Sequence, residues 1–372
     1  MQRARFQIAL LAATLLCYSG YGATADRYDT SHGPVEISAQ VTGLSKPWAF
    51  VFLPDGALLI TERSGALRIW DGTLSTPIAG LPPLFPFGQG GLLDVALAND
   101  YTTSGEIYFS YAARTRDAAQ TRVARARLDR QAMTLRDVTV IFAQEPPQQT
   151  GHHFGSRVVV GPDGSIYATV GDRGEREQAQ NTNAHQGSVI RILRDGTPHP
   201  ANPFIAGGGR PEIFSYGHRN PQGATWAHGA LWTVEHGAAG GDEINEPKAG
   251  LNYGWPTISY GQHYSGAKIG VGTAAEGMEQ PSYYWDPSIA PSGLTVVSGP
   301  LFPEWKGDLL VGALKSQRLS RLQIKDGKVV AEEKLFPREF GRIRDVRIGP
   351  KGAIWFATDS VNGSIYRMAP VN

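Results

Sequence analysis

The sequence holds a single cysteine in 372 residues, Cys17, and it sits inside an apolar N-terminal run. Beyond that run there is no thiol, which excludes thiolate catalysis, a disulfide framework and cysteine-held zinc. An excess of one charge is also missing. The 35 Lys and Arg stand against 34 Asp and Glu, a balance that argues against a nucleic-acid or membrane-surface partner. No later apolar run is long enough for a membrane helix, so stable membrane insertion is not expected. Sustained helical periodicity is almost absent. C-x-x-C, H-E-x-x-H, G-x-S-x-G, phosphate-loop and dinucleotide-binding patterns are absent too, which leaves nicotinamide chemistry and serine hydrolysis without support.

Glycine (45) and proline (25) are abundant, and apolar residues make up 41% of the chain. That composition suits a globular fold of many short strands and turns. Met1–Ala25 has the build of a secretory leader: Arg3 and Arg5, an apolar Ile8–Cys17, then an A-x-A site at Ala23-Thr24-Ala25. Without Arg3 and Arg5 the net charge changes from +1 to −1. An exported protein is expected, with the bacterial periplasm as its compartment.

From Asp26 onward, one unit recurs: an apolar strand, a P-x-G turn, then a strand ending near Thr. It spans Trp48–Trp70 around Pro54-Asp55-Gly56, Val158–Val170 around Pro162-Asp163-Gly164, and Val346–Thr358 around Pro350-Lys351-Gly352. A looser copy covers Gly223–Val234 around Ala227-His228-Gly229. Self-similar small sheets along a chain of this size predict a β-propeller. Blades of about 40–60 residues allow six to eight, and the long loops favour six four-stranded antiparallel blades in one domain over residues 26–372. A pair of β-sandwiches is the alternative.

Polar residues at inner-strand ends of a propeller converge on one mouth of its channel. Thr150–Gly174, TGHHFGSRVVVGPDGSIYATVGDRG, is a hairpin whose ends bring His153 and Asp172 together although they are 19 positions apart. A histidine with a carboxylate to orient it is the minimal proton-abstracting unit. GHRNPQG (217–223) offers Arg219 and Asn220, the former a fork suited to carboxylates or a developing oxyanion. VEHGAAGGDEIN (234–245) sets main-chain carbonyls beside carboxylates, hard oxygen ligands suited to Ca²⁺, without EF-hand spacing. Lys315 and the pair Arg342/Arg344 are strand-end cations. Alternation places the two arginines on one face, where an anion between them would relieve their repulsion and suggests a polyanionic ligand.

Nine motifs in order resemble the soluble quinoprotein sugar dehydrogenases, which use pyrroloquinoline quinone (PQQ) and calcium. They are GQGGLL (88–93), GHHFGSR (151–157), VGDRGEREQ (170–178), SYGHRNPQG (215–223), VEHGAAGGDEIN (234–245), GLNYGWP (250–256), the strand around Lys315, GRIRD (341–345) and ATDS (357–360). The compact aldose sugar dehydrogenases are the subgroup most similar. The resemblance implies a six-bladed propeller that oxidises the anomeric carbon of an aldose to a lactone and passes the electrons to an external acceptor. It implies His153 as general base, Asp172 orienting it, and Arg219 polarising the quinone. Gly237 and Ala238 would hold Ca²⁺ through their carbonyls, Ala238 replacing the family's usual proline. Gln89, Asn220, Lys315, Arg342, Arg344 and Asp359 would bind PQQ, whose three carboxylates match the cations. Glu243 and Tyr253 would frame a second, structural Ca²⁺. Trp285 and Ser288 match the family's wall over the quinone only with a one-residue shift. A monomer or homodimer is expected. A calcium-dependent propeller lactonase, and a non-catalytic propeller binding carbohydrate or protein, are the competing readings.

Overall fold

The computed structural model describes residues 25–371, so the leader lies outside it apart from Ala25. Short apolar runs between Gly- and Pro-rich turns form six antiparallel sheets. Blade 1 comprises Pro47–Phe52, Leu58–Glu62 and Ala66–Trp70; blade 2, Leu92–Leu97, Glu106–Arg114, Ala119–Asp129 and Thr134–Ala143. Blade 3 comprises Val158–Val160, Ile166–Val170, Ser188–Ile192 and Ile213–Tyr216; blade 4, Pro221–Ala227, Ala230–Glu235, Asp242–Asn245 and Tyr283–Trp285. Blade 5 comprises Pro291–Val296, Leu309–Ala313, Arg318–Lys325 and Lys328–Leu335. Blade 6 begins with Ile343–Ile348, Ile354–Thr358 and Gly363–Pro370, and is completed by the N-terminal Gly33–Leu44 and Asp26–Thr30.

The first strand of each blade packs against the first strands of its two neighbours, and Ile343–Ile348 meets Pro47–Phe52. The ring therefore closes as a six-bladed β-propeller. Four blades carry the expected four strands, while blade 1 has three and blade 6 has five. The departure has a physical reason. The N-terminal strand pairs with the C-terminal one, Ile37 opposite Met368, and seals the ring where the chain would otherwise leave an open edge.

The repeated P-x-G is one turn built three times. In blade 1 the N–H groups of Leu53 and Gly56 donate to Ala57 O and Leu53 O, each at 2.8 Å; Gly161 and Gly164, then Gly349 and Gly352, repeat the pattern. Gly56, Gly164 and Gly352 have φ of 89°, 84° and 85°, where a Cβ is strained. The looser blade 4 copy uses another turn: His228 and Gly229 both have positive φ, 52° and 79°, as a two-residue hairpin requires.

Apolar faces meet between blades, with Leu67, Val95 and Phe109 between blades 1 and 2 and Phe302, Trp305 and Phe356 between blades 5 and 6. Each such side chain contributes about 1.5–3 kcal/mol on full burial. Near the axis the packing turns ionic. Arg157, 1% exposed, meets Asp94 at 3.2 Å and Asp345 at 3.0 Å. Arg347 holds the same two carboxylates at 3.1 and 2.9 Å, so the charges of this four-membered cluster are paired.

Five of the six inner strands begin with a register shift: at Pro47/Ala49, Leu92/Val95, Pro221/Gly223, Pro291/Leu294 and Ile343/Asp345. A bulge inserts a residue and re-aims its side chain. These bulges set out the mouth of the channel.

Candidate active site

Trp48, Leu93, Gln222 and Arg344 are bulge residues of blades 1, 2, 4 and 6, and all four line one cavity of about 150 Å³. Arg63, Gln89, Phe154, His236, Leu314 and Arg342 complete much of its wall. Arg344 is buried, its Nη1 donating to Gln222 Oε1 at 3.1 Å and its Nη2 to Asp359 Oδ2 at 3.1 Å. Arg342 reaches the same oxygen at 3.0 Å. The anion between the two arginines is thus Asp359 of the chain itself. Burial opposes its ionisation, but the two guanidinium groups win and hold its carboxyl down at about 2.

The hairpin ends meet as the sequence implied. His153 Nδ1 lies 2.6 Å from Asp172 Oδ1, and Trp255 Nε1–H donates to Asp172 Oδ2 at 2.8 Å. The N–H of Gly174 also donates to Oδ1 at 2.8 Å. Burial pushes the His153 imidazole below its ordinary range, with Asp172 opposing it only in part. Burial alone would raise Asp172, yet the bond and charge of His153 keep it below the usual carboxylate range. A neutral imidazole whose Nδ1–H points at an anionic carboxylate follows. His153 Nε2 has no protein partner among the described residues, and the side chain is 16% exposed, so a lone pair faces the mouth. The backbone of His153 is left-handed (φ 50°), pinned by its N–H to Gln89 Oε1 at 2.8 Å.

Arg219 is buried over the Trp255 ring, 5.2 Å from its centroid, and Nη1 donates to His236 O at 3.2 Å. The buried Arg219 Nε, Asn220 Nδ2 and Arg344 Nε have no partner among the described residues. Such unspent buried donors call for an acceptor. Lys315 is exposed and makes no ion pair among those residues, so it remains an uncommitted cation.

Around Gly237–Gly241 the chain folds on itself so closely that a Cβ on Gly237 would collide with the Gly240 and Gly241 carbonyls. Asp242 ties the loop down, taking the N–H groups of Gly237, Ile289 and Ala290 and the Ser288 hydroxyl. The Gly237 and Ala238 carbonyls accept no hydrogen bond among the described residues. Beside the loop, Glu235 and Glu243 share a gap of about 10 Å³. Burial, then the Glu235 charge, pushes Glu243 up to about 8. Asn245 Oδ1 is a further buried acceptor without a donor there. Tyr253 lines the same gap; its hydroxyl donates to Glu246 O at 2.6 Å, and its main-chain carbonyl accepts no hydrogen bond among the described residues.

Gln89, His153, Asp172, Arg219, Asn220, Arg342, Arg344 and Asp359 thus surround one mouth, with the Gly237–Ala238 loop beside it. Trp285 and Ser288 do not join them. The Trp285 indole N–H donates to Glu332 Oε1 at 3.0 Å within the core between blades 4 and 5, and the Ser288 hydroxyl is given to Asp242. Trp285 lies on the outermost strand of its blade, which the shifted match could not reveal. Trp48, Arg63, Gln222, His236 and Trp255 belong to the site but carry no sequence assignment, although the last three fall inside quoted motifs. His236 is pushed down to about 3 by burial and then by the charge of Arg219, and its Nε2–H meets Pro291 O at 2.7 Å. Arg173, buried over the Phe154 ring, ties the two turns together by donating to Thr150 O at 2.5 Å.

Comparison with known proteins matches residues 44–367 to the family described as Glucose / Sorbosone dehydrogenase. Aldose sugar dehydrogenase YliI of Escherichia coli is 41% identical over 351 residues, covering 91% of this chain and 94% of that protein. The apo-form of the soluble aldose sugar dehydrogenase from Escherichia coli superposes with a TM-score of 0.88 at 40% identity, covering 91% of this chain and all of that one. The PQQ-bound form of aldose sugar dehydrogenase from Streptomyces coelicolor gives 0.76 at 27% identity, covering 93% of this chain and all of that one.

Proposed function

The chain belongs to the glucose/sorbosone dehydrogenase family, and from that membership we propose that it is a PQQ- and Ca²⁺-dependent aldose dehydrogenase. The observation that carries this reading is the pairing of a neutral, carboxylate-oriented His153 with a cavity rich in unspent cationic donors. Arg63, Arg342 and Arg344 face a single neutralising carboxylate, Asp359, and Lys315 follows the lining residue Leu314, so the mouth has positive charge to spare for a small polycarboxylate. Together with Gln89, Asn220 and Gln222, these cations would hold PQQ. Asp359 acts by aligning the arginines, because an anion cannot itself favour an anionic ligand. The free carbonyls of Gly237 and Ala238 suit a hard cation, and the pair Glu235/Glu243 with Asn245 Oδ1 suits a second.

When bound, PQQ would supply the hydride-accepting quinone chemistry, and Ca²⁺ and Arg219 would supply positive charge to polarise it. The remaining work is done by the chain. His153 Nε2 takes the proton of the anomeric hydroxyl as hydride leaves the anomeric carbon, so the sugar departs as its lactone. Asp172 fixes the tautomer that presents Nε2 and stabilises the imidazolium that results. Trp255 and Gly174 keep that carboxylate in place and ionised. The electrons then pass to an external acceptor, and the leader at Met1–Ala25 would put this reaction in the periplasm.

Reconstitution tests the proposal. Metal-free apoprotein is mixed with glucose and an artificial dye, with PQQ, Ca²⁺, both or neither. Dye reduction only when both are present is expected. Lactone opening without PQQ, or no reaction in any mixture, would overturn the reading.

A further inference from the structure

Beside the catalytic mouth lies a second, larger cavity of about 300 Å³, lined by Phe85, Phe87, Arg114, Asp117, Gln148 and Gln149 among others. Its wall adjoins the base. Thr150, three residues before His153, lines it, and a Cβ on Gly151 would meet the Phe87 ring at 2.9 Å. Gln89, two residues after Phe87, carries the bond that pins His153.

The composition of this cavity is specific. Phe87 leaves 59% of its surface in water, an uncommon position for a ring of that size. It lies 5.5 Å from the Phe85 ring at 39°, so the two make a broad apolar platform. The Arg114 guanidinium stands 5.9 Å from the Phe85 centroid. Arg114, Asp117, Gln148 and Gln149 make no side-chain hydrogen bond or ion pair with other described residues, although an arginine and an aspartate share the rim. Main-chain bonds between Ala119 and Gln148, 2.9 Å in both directions, hold the two rim segments together. The frame is therefore ordered, while its planar polar groups stay unspent.

An apolar ring face edged by forked donors and acceptors matches one ligand chemistry well. A pyranose has a C–H face that packs on aromatic rings and equatorial hydroxyls that both donate and accept. We propose that this cavity is a second saccharide subsite, which binds the ring distal to the anomeric carbon undergoing oxidation. A reducing disaccharide would then span His153 and the Phe85/Phe87 platform. This inference rests on the aldose dehydrogenase reading for its orientation, though not for the binding of sugar.

The test compares glucose, maltose and cellobiose with the PQQ- and Ca²⁺-loaded enzyme and its Phe87→Ala and Arg114→Ala variants. Both variants are expected to lower kcat/KM for at least one disaccharide about ten-fold while leaving glucose within two-fold. An equal loss for all three sugars, or no loss for either disaccharide, would overturn the subsite. Saturation-transfer NMR with methyl β-maltoside, which has no free anomeric hydroxyl, provides a readout independent of turnover. Signal on the distal ring that Phe87→Ala weakens is expected even if no sugar is oxidised, and its absence from the wild type would count against the cavity. Failure of glucose oxidation alone would count against the dehydrogenase reading instead.

Discussion

The indole N–H of Trp255 donates to Asp172 at 2.8 Å, on the oxygen opposite the one that meets His153 at 2.6 Å. A tryptophan 83 positions away in sequence therefore holds the carboxylate that orients His153. Trp255→Phe keeps an aromatic face for Arg219 but deletes the donor. A hydrogen bond to a charged group contributes about 1.5–3 kcal/mol, so kcat should fall roughly ten- to a hundred-fold. PQQ affinity should change little, because Trp255 acts through Asp172. Steady-state kinetics with a fluorescence titration of PQQ distinguishes the two, and an unchanged kcat would remove Trp255 from the relay.

Burial lowers the His153 pKa, and Asp172 only partly offsets it. The neutral, proton-accepting form therefore persists below the ordinary histidine value of about 6.5. kcat/KM should be flat through neutral pH, with its acid limb below 6.5. Asp172→Asn removes the anion that favours imidazolium, so the limb should move to still lower pH while the plateau drops at least about a hundred-fold. A limb that moves upward would show that the carboxylate is not what His153 feels.

How much of this was legible depended on whether a residue obeyed the local period. His153 and Asp172 were readable because a hairpin with a P-D-G turn joins its own ends, a relation fixed by a few adjacent residues. The three-fold recurrence of that turn was enough to give the ring. Trp48 and Gln222 sit on bulges, where the two-residue period breaks, so alternation could not say where they point; Arg344 sits on another, and it meets Arg342 through a shared carboxylate rather than through a regular strand face. The pairing inferred for Arg342 and Arg344 held, but the anion between them came from Asp359, which only the tertiary fold brings near. Trp285 and Ser288 stand apart because Trp285 lies on the outermost strand of blade 4, packed into the core beside Glu332, and Asp242 takes the Ser288 hydroxyl.

Glu243 has a folded pKa pushed up to about 8 beside Glu235. A carboxyl raised in the folded state contributes stability below its unfolded value, near 4.5, and that contribution is lost as pH rises towards 8. Metal-free protein should therefore lose Tm between pH 6 and pH 9. A cation in the gap between the two carboxylates removes the repulsion, so added Ca²⁺ should raise Tm more at pH 9 than at pH 5. Glu243→Gln should flatten both dependences. Differential scanning fluorimetry over this range is the measurement, and an equal Ca²⁺ effect at both pH values would place the ion elsewhere.

Asp359 joins two arginines that differ in burial, the Arg342 side chain being 47% exposed and that of Arg344 6%. With its carboxyl held at about 2, Asp359 stays ionised throughout the working range, so protonation does not release either cation. Truncating the two should then give different outcomes. Arg342→Ala removes a solvent-screened charge, which should weaken PQQ binding about five- to ten-fold with Tm nearly unchanged and glucose KM unaffected. Arg344→Ala leaves Asp359 with one arginine partner and Gln222 Oε1 without its donor. Breaking a buried pair costs about 3–5 kcal/mol, so this variant should lose thermal stability as well as cofactor affinity. Equilibrium PQQ titration and thermal melts of both proteins provide the comparison. If Arg342→Ala raised glucose KM more than the PQQ Kd, the cation-rich face would belong to the sugar rather than to the quinone.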